Sequence, residues 1–226
     1  MRMYINTPVR MNNQKVLIIF VPGFMETAHT PLFVRTAQMI SKQEGFTTVR
    51  LDGPSFYENV GGLKEASIDA QVQHIIDAVS HFRRESDRVV LVGHSMGAFV
   101  SLLADTAHPE RIILWDPSLH PREIFASTLR NASQAVSSTL IKELSLLPEI
   151  ESAAADTTCP VGIISAEQGA AHIVAPYMRH LPILLGQVTI PGADHNFSTQ
   201  QHTSALVHET LQFIKKPSPY EDGLAH

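Results

Sequence analysis

Short apolar runs that alternate with helical patterns are the feature that most limits how this chain can fold. Six such runs occur, at residues 15–21, 47–51, 88–92, 111–115, 161–165 and 185–190. Their continuous apolar character, rich in β-branched side chains, is typical of strands buried on both faces. Helical spacing of apolar residues fills the gaps, most clearly at 65–84. Strands that alternate with helices predict an α/β fold with a mostly parallel central sheet flanked by helices.

One stretch is longer than a connection between neighbouring strands requires. Residues 118–158 separate two predicted strands and contain helical patterns at 122–129 and 133–147. The full length of 226 residues suits one domain with a complete core. We therefore expect residues 1–226 to form a single domain, with 118–158 as a small helical lid inserted into it.

Composition and charge exclude several functional classes. A formal net charge of -5 without a block of like charges argues against a nucleic-acid partner. Cys159 is the single cysteine, which suits a reducing compartment. No apolar run is long enough to span a membrane, and the N-terminus lacks the pattern of a signal peptide. We expect a cytoplasmic protein. The histidines do not show metal-ligand spacing, so neither a metal nor another cofactor is expected.

The sequence Gly93-His94-Ser95-Met96-Gly97 is the strongest functional motif. It follows a predicted strand directly and opens a predicted helix, as a nucleophile elbow requires. Glycines on both sides of the serine let a very tight turn pack against its neighbours, and we expect strained backbone at Ser95. A serine that merely caps the helix would explain the hydroxyl, but it would not need glycine at both positions.

With two further motifs, the chain resembles α/β-hydrolase fold serine hydrolases of the bacterial esterase kind. These motifs are Val21-Pro22-Gly23-Phe24, after the first predicted buried strand, and Gly192-Ala193-Asp194-His195, after the last predicted strand. The resemblance implies that Ser95 is the nucleophile and His195 the general base. It also implies that the backbone N–H groups of Met96 and Phe24 form the oxyanion hole.

The acid that would orient the histidine is not settled by the resemblance. Most members place an aspartate in a loop that corresponds here to residues 169–171, which contain no acid. Two alternatives remain: Glu167, which lies in the same loop and is slightly favoured, and Asp116, which follows the strand at 111–115. The alternatives to a catalytic role are a solvated loop carboxylate for Glu167 and an Asp-Pro turn for Asp116.

The expected activity is hydrolysis of a small or medium carboxylic ester through an acyl-enzyme intermediate. A thioester or an amide could be cleaved by the same groups, so the partner is expected to be a small-molecule substrate, an ester or thioester in the first place. A non-catalytic binding protein of the same fold is the alternative from another class, and the missing acid makes it worth testing.

Overall fold

The computed structural model describes residues 2–10, 12–24, 26–52, 67–118, 138–148, 150–169, 172, 174 and 178–217. Seven of the described segments form one sheet: β1 (Arg2–Asn6), β2 (Val16–Val21), β3 (Thr47–Asp52), β4 (Arg88–His94), β5 (Arg111–Trp115), β6 (Val161–Ala166) and β7 (Leu184–Ile190). Their order in the sheet is β1-β3-β2-β4-β5-β6-β7. Only β1 runs antiparallel to its neighbour. The predicted α/β architecture with a mostly parallel sheet is confirmed.

Helices cover both faces of this sheet. The longer described ones are α1 (Pro31–Glu44), α2 (Ile68–Phe82), α3 (Met96–Leu103), α4 (Ser138–Leu146), α5 (Ile150–Ala155) and α6 (Gln200–Lys215). Apolar side chains of α2, α3 and α4 form one core with alternate residues of the strands. Those of α1 and α6 form a second core on the opposite face. In β2, for example, Leu17 and Ile19 enter the first core, whereas Ile18 and Phe20 enter the second.

The strand and helix limits agree closely with the sequence prediction where local signals are strong. Helix α1 begins at its predicted proline and ends where Gly45 adopts the left-handed conformation. Helix α2 is shorter than its predicted range because Ser67 caps it, accepting a hydrogen bond from the backbone N–H of Ala70. Strand β1 was not predicted, because this polar edge strand, on which Ile5 is half exposed, lacks a continuous apolar run.

Part of the predicted lid falls among the described residues. Helices α4 and α5 lie inside 118–158, and the helical pattern at 122–129 lies outside the described residues. Leu140 and Leu144 of α4 are buried, and Glu143 accepts hydrogen bonds from Ser67 Oγ and Ile68 N at the start of α2. This helix is therefore attached to the main body, and a lid function for residues 118–158 stays a prediction.

Every helix in the described segments falls short of the length and apolarity needed to cross a membrane.

Candidate active site

The carboxyl ends of the parallel strands collect the predicted functional residues at one edge of the sheet. Ser95 follows β4, Asp116 follows β5, Glu167 follows β6, and His195 lies in the loop after β7. The Pro22-Gly23-Phe24 loop follows β2, the neighbour of β4. In open α/β sheets this edge is where ligands bind.

Ser95 lies in a tight, strained turn between β4 and α3. Its backbone has φ 54° and ψ -122°, a conformation that residues other than glycine rarely adopt. The turn closes because its two glycines lack side chains. A Cβ atom at Gly93 would lie 2.4 Å from Gly97 O, and one at Gly97 would lie 2.3 Å from Val21 O. The strain and the role of both glycines agree with the sequence-based expectation for an elbow.

His195 is hydrogen-bonded to Ser95, with Nε2 3.0 Å from Oγ. The loop that carries it turns sharply at Gly192, where φ is 68°, and Asp194 Oδ1 accepts a hydrogen bond from Ser198 N at 2.9 Å. The ring is partly open to solvent, with 41% of the side chain exposed.

The acid next to the histidine is Asp116. Its Oδ2 lies 2.5 Å from His195 Nδ1, and its Oδ1 accepts a hydrogen bond from Ala166 N at 2.7 Å. The side chain is fully buried. Glu167 instead accepts a hydrogen bond from Gly192 N at 2.7 Å and helps to fix the histidine loop. The slight preference for Glu167 from the sequence is not supported, and of the two alternatives the structure brings Asp116 to His195.

Gly169 is the first residue of the segment, 169–171, in which most members of the family carry the acid, and it lies against Asp116. A Cβ atom at this residue would lie 2.1 Å from Asp116 Oδ2 and 2.8 Å from Asp116 Cγ. A side chain at residue 169 would therefore force the carboxylate of Asp116 out of its present position. The carboxylate of Asp116, which follows β5, thus fills the space next to Gly169 on the β6 loop.

The predicted oxyanion-hole residues Met96 and Phe24 both lie in backbone segments next to Ser95. Met96 is the first residue of α3, so its N–H has no acceptor within the helix. The Gly23 backbone lies against the serine, since a Cβ atom at Gly23 would be 2.8 Å from Ser95 Cβ. Phe24, half-buried, follows directly. That the N–H groups of Met96 and Phe24 form an oxyanion hole stays a prediction.

Sequence reasoning missed two contacts at this edge. Ser118 Oγ lies 3.0 Å from Ser95 Oγ, although the Asp116-Pro117-Ser118 segment carries only the signal of a turn. His94, the residue before Ser95, is buried. Its Nδ1 also lies 2.9 Å from Glu26 Oε2, a partner 68 residues away in the sequence that no local pattern indicates.

Cys159 offers no competing nucleophile. The thiol is buried beside the Asp105 carboxylate, and burial together with that negative charge raises the pKa of Cys159 far above its ordinary value. Cys159 lies two residues before β6 and packs in the first core.

The chain belongs to the alpha/beta hydrolase family, whose sequence profile matches residues 18–182. No curated protein matches the sequence significantly. Among solved structures it is similar to Est1E from Butyrivibrio proteoclasticus with bound ferulic acid, at 17% identity and a TM-score of 0.77, covering 95% of this chain and 96% of that one.

Two further solved structures are similar over most of their length. One is dienelactone hydrolase from Anabaena variabilis, at 14% identity and a TM-score of 0.68, covering 94% of this chain and 89% of that one. The other is alpha/beta hydrolase domain-containing protein 10 from mouse, at 17% identity and a TM-score of 0.66, covering 94% of this chain and 92% of that one. At these identities the similarity establishes the fold.

Proposed function

We propose that this protein is a serine hydrolase that cleaves a small or medium carboxylic ester through an acyl-enzyme intermediate. The observation that carries the proposal is the continuous hydrogen-bonded chain from Ser95 Oγ through His195 to the buried Asp116. Nucleophile, base and orienting acid in this geometry define the roles needed for acyl transfer. The name of one structural neighbour, dienelactone hydrolase, agrees with a hydrolytic reaction.

In the first half of the reaction Ser95 Oγ attacks the ester carbonyl carbon and gives its proton to His195 Nε2. Asp116 accepts a hydrogen bond from His195 Nδ1–H, stays ionised and stabilises the resulting imidazolium. The carbonyl oxygen becomes negatively charged, and the N–H groups of Met96 and Phe24 would bind it. As the carbon–oxygen bond to the leaving group breaks, His195 returns the proton to the departing alcohol.

In the second half water replaces the alcohol. His195 Nε2 takes a proton from the water while the water oxygen bonds to the acyl carbon. The second tetrahedral intermediate that forms in this way then collapses. Ser95 Oγ then leaves and recovers its proton from His195. The same ring nitrogen would serve both halves, because Nε2 is the atom within hydrogen-bond distance of Ser95 Oγ.

Fluorophosphonate labelling together with ester turnover tests the proposal. We expect wild-type protein to be labelled and to hydrolyse p-nitrophenyl esters, and Ser95→Ala to lose both properties. Removal of a triad member typically lowers kcat by more than about a thousandfold. Folded protein that is not labelled, or label that survives Ser95→Ala, would contradict a serine nucleophile and favour a binding protein of the same fold.

A panel of p-nitrophenyl esters of increasing acyl length tests the substrate class. We expect the highest kcat/KM on short and medium chains, and the matching thioesters and amides would show whether the same site prefers another acyl donor. Turnover restricted to the longest chains would contradict the proposed substrate size.

A further inference from the structure

A second histidine, His94, lies against the proposed catalytic one. The rings of His94 and His195 are 4.8 Å apart between centroids. His94 is almost completely buried, and the aromatic rings of Phe33 and Phe197 pack against it. The proposed mechanism gives this buried titratable group no task.

Both ring nitrogens of His94 face hydrogen-bond acceptors. Nδ1 lies 3.0 and 2.9 Å from the two carboxylate oxygens of Glu26, and Nε2 lies 2.9 Å from the backbone oxygen of His195. A carbonyl oxygen can only accept, so Nε2 must donate. Nδ1 is nearly equidistant from both Glu26 oxygens, and one of these already accepts from Gly23 N at 2.6 Å, which is the arrangement of an ionised carboxylate. Nδ1 must then donate too, and a ring that donates from both nitrogens is an imidazolium ion.

The electrostatic surroundings favour this pair of charges. Burial alone lowers the pKa of His94, but the Glu26 carboxylate, the His195 carbonyl oxygen and the more distant Asp116 together raise it above its ordinary value. Burial alone raises the pKa of Glu26, but His94, the Gly23 N–H and the charge of His195 together lower it. Each partner is therefore shifted towards its charged form, as buried charges require.

The pair connects three segments that the proposed reaction needs in register. Glu26 holds Gly23, whose backbone packs on Ser95 and precedes the oxyanion-hole residue Phe24. His94 is the residue before the nucleophile. Its Nε2 holds the backbone of His195, the proposed base.

We propose that Glu26 and His94 form a buried ion pair that positions the oxyanion loop and the His195 loop around Ser95. This inference rests on the proposed function. Both are positioning residues, because their side chains bond to each other, to Gly23 N and to the His195 backbone oxygen, whereas the hydrogen bonds described for Ser95 Oγ go to His195 and Ser118. Their effect on turnover comes through Gly23 and through the backbone of His195.

Nitrogen-15 NMR of the histidine rings tests the charge directly. The His94 signals are assigned by their loss in His94→Gln. At neutral pH a histidine with an ordinary pKa of about 6.5 is mostly neutral, whereas we expect both nitrogens of His94 to show protonated chemical shifts. A non-protonated ring nitrogen at His94 at neutral pH would overturn the ion pair.

Kinetics of Glu26 variants on p-nitrophenyl butyrate test the positioning. Glu26→Ala removes both hydrogen bonds, and we expect kcat to fall about tenfold to a hundredfold with KM within about threefold, as for other misplaced reacting groups. Glu26→Gln keeps an oxygen for Gly23 N and an N–H for His94 Nδ1. We expect it to lose less activity and to let the His94 ring become neutral at neutral pH.

Glu44→Ala is the matched control, because it removes a carboxylate that pairs with Lys215 at the surface. A folded Glu26→Ala protein with kcat within about twofold of wild type would overturn the positioning role. If Glu26→Ala does not fold, Glu26→Gln becomes the deciding variant. The positioning role is overturned if Glu26→Gln keeps both full kcat and a doubly protonated His94 ring. Wild-type protein that neither turns over esters nor is labelled at Ser95 would defeat the proposed function, while the NMR experiment would still decide the ion pair.

Discussion

The hydroxyl groups of Ser95 and Ser118 each carry one hydrogen, and the proposed mechanism determines which acceptor each hydrogen points to. For Ser95 to act as a nucleophile its single hydrogen must point to His195 Nε2, because His195 Nδ1 donates to Asp116. The contact of 3.0 Å between Ser118 Oγ and Ser95 Oγ must then be donated by Ser118. The two hydroxyl groups are held close together by the backbone, since Ser118 N donates a hydrogen bond to Ser95 O at 3.1 Å. Ser118 thus supplies a second hydrogen bond to the proposed nucleophile.

Removal of that donor should weaken catalysis without abolishing it. One neutral hydrogen bond contributes about 0.5–1.5 kcal/mol, so we expect Ser118→Ala to lower kcat/KM about threefold to tenfold. Ser118→Thr keeps the hydroxyl and should stay near wild type. Steady-state kinetics on one p-nitrophenyl ester compares the three proteins. Equal activity in wild type and Ser118→Ala would mean that the bond has no net effect on the transition state.

The two candidate acids can be separated by isosteric amide variants. Asp116→Asn should lower kcat at least about a hundredfold, because the amide cannot stabilise the imidazolium and favours the wrong tautomer of His195. Glu167→Gln keeps an oxygen for Gly192 N, so we expect kcat within about threefold of wild type. Turnover measurements with thermal melting curves provide the comparison. The reverse order of effects would return the acid role to Glu167.

At the scale of strands and helices, local signals predicted more than tertiary contacts did. The limits of α1 and β5 follow from a proline, a glycine and a continuous apolar run, which act within a few residues. The choice between Asp116 and Glu167 could not be made this way, because it depends on how loops from β5 and β6 share one space. Gly169 is the residue from which the choice could have been predicted, because a glycine at the usual acid position leaves room for the side chain of Asp116.

Exchange of the acid between the two loops tests this account of Gly169. Asp116→Ala should lose activity, and the added change Gly169→Asp should restore kcat at least about tenfold, because a carboxylate at 169 enters the vacated space beside His195. Gly169→Asp alone should lower the melting temperature, since its Cβ atom would lie 2.1 Å from Asp116 Oδ2. Kinetics and melting curves of the single and double variants measure both effects. A double variant no better than Asp116→Ala would show that the β6 loop cannot supply the acid.

At the scale of the whole molecule, one edge of the sheet unites residues from opposite ends of the chain. Gly23 and His195 follow β2 and β7, which are separated in the sheet by β4, β5 and β6. The parallel topology could be predicted from the alternation of strands and helices, and it alone brings these loops to one edge. Their final register depends on contacts such as Glu26 to His94, which join residues 68 positions apart and leave no periodic pattern in the sequence.

The same buried pair should give the stability of the protein a characteristic dependence on pH. The folded pKa of Glu26 is lowered, so its contribution is complete above the ordinary glutamate value and is lost as the pH falls through the folded pKa. The folded pKa of His94 is raised, so its contribution is complete below the ordinary histidine value and is lost as the pH rises through the folded pKa. The two contributions overlap fully between about pH 4.3 and about pH 6.5.

Urea unfolding of wild type and Glu26→Gln across this range would measure the effect. We expect wild type to be more stable by about 2 kcal/mol within the overlap, since the variant breaks a buried charge-assisted interaction. The difference should shrink towards both acidic and alkaline pH. Besides Glu26, the titratable groups that face His94 are the ring of His195, 4.8 Å away between centroids, and the Asp116 carboxylate, so the comparison is repeated in Asp116→Asn to remove the Asp116 charge. A difference that is constant with pH would show that Glu26 stabilises the fold through neutral hydrogen bonds alone.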